Sequence, residues 1–386
     1  MLLSAVVSTV LGTAPGAPTF AEYSLAHSKT YADAAERAMR EQLYAAKLRS
    51  LEAHNASPWG AHYTQGVNKF SDWTDAERAA LFGLNKGMLQ ARRGAQAAAD
   101  AADAGSYEAA NEEAARAAES EALGKFPAAW DWAKKGALTR PRDQGTCGSC
   151  WAFAGTEAIE SALFLSTGKL AKLSPQAFND CTPNPKQCGG TGGCEGATFD
   201  LLYEYASNLT AGGGGMGGAV LDASYPYTGK DGACRDKSVA THATVAGWTD
   251  VASNNVTALM AAVLKQPVAV GVAAMNWGDY MGGVYPHELC DGDIDHAVLL
   301  VGWGVDPGLG AYWKIKNSWG VGWGEDGYIR LQRRKAGYCT IDSQPGDGLG
   351  CKGGPAKVQV CGACAILYAP SYPTGVKLAG NGTAAE

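Results

Sequence analysis

Gln144-Gly145-Thr146-Cys147-Gly148-Ser149-Cys150-Trp151 places one cysteine at the mouth of a helical segment and a second three residues before it. Residues 152–165, AFAGTEAIESALFL, carry apolar side chains at helical spacing and predict a helix that begins at or near Cys150. At a helix N-terminus the unpaired N–H groups and the dipole favour a thiolate, and the thiolate is the nucleophilic form of cysteine. Candidate chemistry therefore starts at Cys150.

Eleven cysteines occur in all, at 147, 150, 181, 188, 194, 234, 290, 339, 351, 361 and 364. An odd number in a disulfide-bonded chain leaves one free thiol. Two C-x-x-C pairs, 147/150 and 361/364, raise zinc or redox chemistry, but the other cysteines stand singly in Gly-rich loops and suit a disulfide framework better. No metal site and no cofactor is expected. A net charge of −6 gives no reason to expect a nucleic-acid partner. No apolar run inside the chain is long enough to predict a membrane span. Residues 2–14 form a short apolar block before Pro15-Gly16-Ala17-Pro18 and predict a signal peptide over 1–19, although no Lys or Arg precedes Lys29. Secretion through this pathway would lead to a lysosome, a vacuole or the extracellular space.

Three textures follow. Residues 20–90 contain Asp33–His54, a run of strong helix formers without Pro or Gly. Met39, Leu43, Ala46, Leu48 and Leu51 mark its apolar stripe, and Thr74 with Glu77 forms a capping box for a helix over 74–81. Residues 91–125 are Ala/Glu-rich, lack large apolar residues and read as a linker where processing would cut. Residues 126–386 are first helical and loop-rich, then strand-rich from about 240 to 345, which predicts an α+β fold with a cleft between two halves.

C-G-S-C-W resembles the active-site motif of the papain-like cysteine peptidases. Glu36, Arg40, Tyr44, Lys47, Leu51 and Asn55, followed by Gly66, Asn68, Phe70 and Asp72, resemble that family's cathepsin L-type inhibitory propeptide. The helical motif departs at Tyr44 for Phe, Lys47 for Asn and Leu51 for Ile; the Lys is a chemical change and puts one polar contact in doubt. The resemblance implies a helical propeptide domain over 20–90. It implies a peptidase domain over 126–386 with a helical left half and a β-barrel-like right half.

A cysteine nucleophile needs a base whose pKa lies near working pH, and histidine fits. Of six histidines, His296 sits at the edge of the apolar strand that begins Ala297-Val298. Cys150, His296 and Asn317 occur in the family's order, 146 residues (150 to 296) and 167 residues (150 to 317) apart. By resemblance, Asn317 orients the imidazole, Trp319 shields their hydrogen bond, and Gln144 joins the Cys150 N–H in the oxyanion hole. Gly196 and Ala197 would bind the substrate backbone, and Thr198, Phe199, Gly271, Ile294, Ala297 and Ala369 would wall the S2 pocket. These small or apolar walls predict a bulky apolar or aromatic P2 residue such as Leu or Phe. The resemblance also implies Cys147–Cys194, Cys181–Cys234 and Cys290–Cys364. Cys188, Cys339, Cys351 and Cys361 are extra, and three pairings stay open, among them Cys351–Cys361 with Cys188–Cys339.

The expected protein is a monomeric cysteine endopeptidase zymogen that acts on protein or peptide substrates and is held by its own propeptide. The rival is a secreted papain-fold binding protein without activity. Asn55, Asn208, Asn255 and Asn381 begin glycosylation sequons.

Overall fold

The computed structural model describes residues 17–82, 124–210, 218–235, 238–333 and 338–380. Most of the proposed signal peptide and most of the proposed linker lie outside them, as do Asn381 and the side chain of Asn208.

The N-terminal unit comprises α1 (Phe20–Ala26), α2 (Ala34–Asn55), the short strand β1 (Tyr63–Gln65) and α3 (Asp75–Ala79). Asp33 caps α2, and Thr74 with Glu77 forms the capping box of α3. The buried face of α2 is Tyr44, Leu48 and Leu51, packed on Phe20 and Tyr23. Met39, expected on that face, is 40% exposed. An aromatic ring at 44 stacks on Tyr23 at 4.5 Å, and this moves the apolar stripe around the helix. Asp72 ties the unit together by accepting from Tyr23, Lys29 and Tyr31. Arg40 grips Glu77 through both carboxylate oxygens.

The second unit begins with β2 (Trp130–Asp131) and then α4 (Cys150–Thr167). Fourteen of the 18 residues of α4 are buried, so it is a core helix and not an amphipathic surface one. It ends at Gly168, whose φ of 72° is the left-handed turn that glycine adopts without strain. The helices α5 (Pro175–Cys181) and α6 (Phe199–Thr210) pack beside it, followed by β3 (Ala219–Val220), β4 (Thr241–Thr244), β5 (Gly247–Asp250) and α7 (Val256–Lys265).

The sheet-forming half comprises β6 (Val268–Val272), β7 (Tyr280–Tyr285), β8 (His296–Asp306), β9 (Gly310–Lys316) and β10 (Tyr328–Gln332). Then come β11 (Cys339–Asp342), β12 (Val358–Cys361), β13 (Ser371–Thr374) and β14 (Lys377–Leu378). The main sheet runs β1-β7-β10-β9-β8-β6-β13-β5, with β2 added on β8. Its end strands do not pair with each other, so the expected barrel-like half is an open sheet and not a closed barrel. The edge strand β1 belongs to the N-terminal unit and pairs antiparallel with β7. The first unit therefore docks partly by extending the second unit's sheet.

Five disulfides form: Cys147–Cys194, Cys181–Cys234, Cys290–Cys364, Cys188–Cys351 and Cys339–Cys361. The last two settle the open pairing against Cys351–Cys361 with Cys188–Cys339. Cys339 and Cys361 face each other across the β11–β12 ladder, which leaves the hairpin tip to carry Cys351 elsewhere. Each cysteine of the two C-x-x-C motifs is either free or bonded outside its motif. No cluster able to hold a metal occurs among the described residues.

Candidate active site

Cys150 is the first residue of α4 and the free thiol among the described cysteines. Ser149, before it, makes no side-chain cap, and its carbonyl takes the N–H groups of Ala152 and Phe153, which leaves those of Cys150 and Trp151 for the thiol. The backbone N–H groups of Ala297, Trp151 and Cys150 itself lie close enough to stabilise the sulfur's negative charge. The Ala297 contact sets the thiol beside His296, at the start of β8.

His296 is 3% exposed, and its Nε2 lies 2.8 Å from Asn317 Oδ1. The same Oδ1 accepts from the Ser318 N–H at 2.8 Å, which fixes the amide. Trp319 stacks on the imidazole at 4.9 Å and is fully buried. Nδ1 of His296 is buried and has no hydrogen-bond partner among protein atoms.

Gln144 is fully buried. Its Oε1 accepts from Ser318 Oγ at 2.6 Å, which turns Nε2 toward the cleft. That Nε2 donates to the carbonyls of Cys147 at 2.9 Å and Leu81 at 2.8 Å. Leu81 belongs to the N-terminal unit, so a carbonyl of that unit occupies one hydrogen of the Gln144 amide. Phe82 follows, its ring edge-on to His296 at 5.8 Å and to Trp319 at 5.7 Å.

Burial pushes the Cys150 thiol up to about 12, against the pull of the nearby N–H groups. Burial also pushes His296 down to about 4, against the hydrogen bond it donates to Asn317 Oδ1. Burial thus favours the uncharged form of both groups.

The wall residues fall into two groups. Gly271 pairs with Ala297 in the β6–β8 register, and Ile294 Cγ2 would lie 3.0 Å from a Cβ at position 271, so these three converge. Across the cleft, the Gly196 carbonyl accepts from Gly192, and Ala197 and Thr198 are buried. Phe199 opens α6 but is sealed in the core near Tyr203. Ala369 is half-buried ahead of β13.

Several residues that shape this geometry had no role assigned from the sequence. Ser318 orients Gln144. Tyr227 donates to the Gln144 carbonyl at 2.8 Å and meets Ser149 Oγ at 2.6 Å. Glu157 and Glu160 in α4 receive Lys316 at 3.0 Å and Arg142 at 2.9 Å, all with side chains at most 10% exposed. This buried ion cluster locks the helix of Cys150 to the strand that leads into Asn317. The one sequence signal was two acidic residues in an otherwise apolar helix, since buried charges require partners.

Docking of the N-terminal unit rests on further contacts. Lys47 Nζ lies 2.5 Å from Asp279 Oδ2, and Arg78 lies 3.8 Å from the same oxygen. Asn68 donates to the Gly278 carbonyl at 2.8 Å, and Lys69 pairs with Asp143. Phe70 is fully buried and meets Trp319 edge-on at 5.7 Å. The lysine that departed from the motif thus makes an ion pair with the second unit.

Residues 126–348 match the papain family of cysteine proteases, and residues 20–77 match the cathepsin propeptide inhibitor domain, I29. A senescence-specific cysteine protease of Arabidopsis thaliana is 34% identical over 83% of this chain and 86% of its own length. Vignain of Vigna mungo is 34% identical over 76% of this chain and 75% of its own. Among solved structures, a recombinant stem bromelain precursor is similar at a TM-score of 0.68 and 28% identity, covering 92% of this chain and 97% of that one. Procathepsin L 3 of Tenebrio molitor larval midgut gives 0.65 and 28%, over 92% and 97%. The chain belongs to the papain family of cysteine proteases and is a cysteine endopeptidase zymogen with an I29 propeptide at its N-terminal end.

Proposed function

We propose that Cys150 is the nucleophile of this endopeptidase and His296 its base and acid. With the cleft open, water and substrate replace Leu81 and Phe82, and the proton passes from Cys150 Sγ to His296 Nδ1. The thiolate attacks the scissile carbonyl, and its oxygen takes the place of the Leu81 carbonyl on Gln144 Nε2, with the Cys150 N–H as second donor. Such donors are worth about 3–4 kcal/mol each in the transition state. His296 returns the proton to the leaving amine. Water, deprotonated by His296, then hydrolyses the thioester and regenerates the thiol.

The single observation that carries this reading is Gln144 Nε2 bonded to the propeptide's Leu81 carbonyl, a peptide oxygen on the donor that catalysis would use. Residues 20–90 then act as intramolecular inhibitor, residues 91–125 hold the processing site, and the peptidase domain runs from 126. Gly196, Ala197 and the S2 walls would select an apolar P2 residue. The five disulfides suit an oxidising compartment on the secretory route, lysosomal, vacuolar or extracellular, and we expect a monomer there. No described helix is long and apolar enough to cross a membrane.

Acid incubation should release a shorter form that E-64 labels once, at Cys150, and that cleaves Z-Phe-Arg faster than Z-Arg-Arg substrates. Cys150→Ala should abolish both. Absence of labelling after processing would favour a non-catalytic binding protein.

A further inference from the structure

The match to the protease family stops at residue 348, yet the chain goes on to make contact with the cleft. The hairpin β11–β12 encloses a loop, 343–357, whose base is closed by Cys339–Cys361 on the sheet-forming half. Its tip is tied by Cys188–Cys351 to the 182–193 loop on the helical half. Two backbone hydrogen bonds flank that disulfide, Gly189 N–H to the Gly350 carbonyl at 2.9 Å and Lys352 N–H to the Lys186 carbonyl at 3.1 Å. The loop is thus a covalent bridge between the two walls of the cleft.

It crosses at the S2 position. A Cβ at Gly348 would lie 2.0 Å from the Ile294 carbonyl oxygen on one wall. A Cβ at Gly189 would lie 2.5 Å from the Gly348 carbonyl and 2.9 Å from the Ala197 carbonyl on the other. Only glycines fit between these backbones. The Pro345 carbonyl accepts the N–H groups of Gly348, Leu349 and Gly350, a tight turn that presents Leu349. Leu349 Cδ1 would lie 2.6 Å from a Cβ at Gly271, so the leucine takes up space that a side chain at 271 would otherwise fill. On its outer side the loop borders a cavity of about 470 Å³ shared with Thr198, into which Leu349 could retreat once untied.

We propose that the 343–357 loop is a disulfide-anchored floor of the S2 subsite and that Leu349 is the residue that limits P2 size. This rests on the catalytic reading above and narrows its P2 preference. The enzyme selects Val or Leu at P2, and a phenyl ring meets Leu349. The restraint is set by the cross-cleft tie and not by the β6 and β8 walls alone.

The test uses full-length protein, acid-processed, with active sites titrated by E-64 so that rates refer to folded enzyme. Z-Val-Arg, Z-Leu-Arg and Z-Phe-Arg aminomethylcoumarins are compared by kcat/KM. The expected wild-type order places Leu and Val above Phe. Leu349→Ala should raise the Phe/Leu ratio roughly tenfold, the scale of a hydrophobic pocket's discrimination between side chains differing by a methylene or more. Cys188→Ser/Cys351→Ser should move the ratio the same way, and Leu349→Phe should move preference toward Val. A titratable Leu349→Ala enzyme with a Phe/Leu ratio within twofold of wild type would overturn the proposal while leaving the catalytic reading intact. Absence of E-64 titration in the wild-type protein would overturn both.

Discussion

Replacing Lys47 by Met should loosen the zymogen without touching the catalytic groups. Lys47 Nζ and Asp279 Oδ2 are 2.5 Å apart, and both side chains are 15% exposed. A hydrogen bond between charged groups contributes about 1.5–3 kcal/mol, and partial solvent access reduces it. Arg78 stays 3.8 Å from the same carboxylate and offsets part of the loss. The expected weakening of docking is about 1–2 kcal/mol, or roughly 5- to 30-fold in the population of open zymogen. The initial rate of E-64 labelling of the unprocessed protein at neutral pH reads that population. Lys47→Met and Asp279→Asn should each raise it, and the double variant should raise it by less than the product of the two. Single effects below twofold, or fully multiplicative ones, would refute the view that this ion pair latches the propeptide.

The covered site itself predicts a pH signature. With burial holding Cys150 up to about 12 and His296 down to about 4, alkylation of the zymogen by iodoacetamide should climb with pH without an acid plateau. The processed enzyme should show such a plateau, and identical profiles would contradict a propeptide-imposed neutral pair. Glu77 is pushed up by burial but held down to about 2 by the Arg40 and Thr74 hydrogen bonds. Its contribution is therefore present above the ordinary glutamate value and is lost only as pH falls toward 2. Glu77→Gln in a Cys150→Ala zymogen should lower Tm by a constant amount from pH 5 to 8, so this clasp is not what acid activation opens. Asp342 is raised toward neutral by burial and by Asp293, against N–H groups of Gln344 and Ile294. A carboxyl with raised affinity for its proton adds stability at acid pH that is lost as pH rises toward neutral. Tm should fall over that window in the wild-type protein, and Asp342→Asn should flatten the fall; an unchanged slope would argue against it.

Local pattern made much of this protein legible. The helix that starts at Cys150 follows from apolar spacing, and the cap at Thr74 follows from side chains within three residues of the N–H groups they bind. The strands over 268–272, 296–306, 310–316 and 328–332 follow from β-branched and aromatic runs. Met39 misled because apolar spacing does not reveal which face an aromatic ring will anchor.

Cys150, His296, Asn317 and Gln144 were legible as residue types in a familiar order. Their protonation was not, because it depends on what covers them, and Leu81 and Phe82 come from a segment with no catalytic motif. Nor could spacing assign Lys47 to Asp279, 232 residues away, or Cys188 to Cys351, 163 residues away. Such partners are chosen by how the whole chain closes its loops, at an entropic cost that varies only slowly with separation and so leaves no mark in sequence. The sequence by itself determined the helices, strands and reactive residue types, since these rest on interactions within a few residues. Tertiary structure alone decided the Lys47–Asp279 contact, the burial of the thiol and the tie from Cys188 to Cys351, because each brings together groups from different elements.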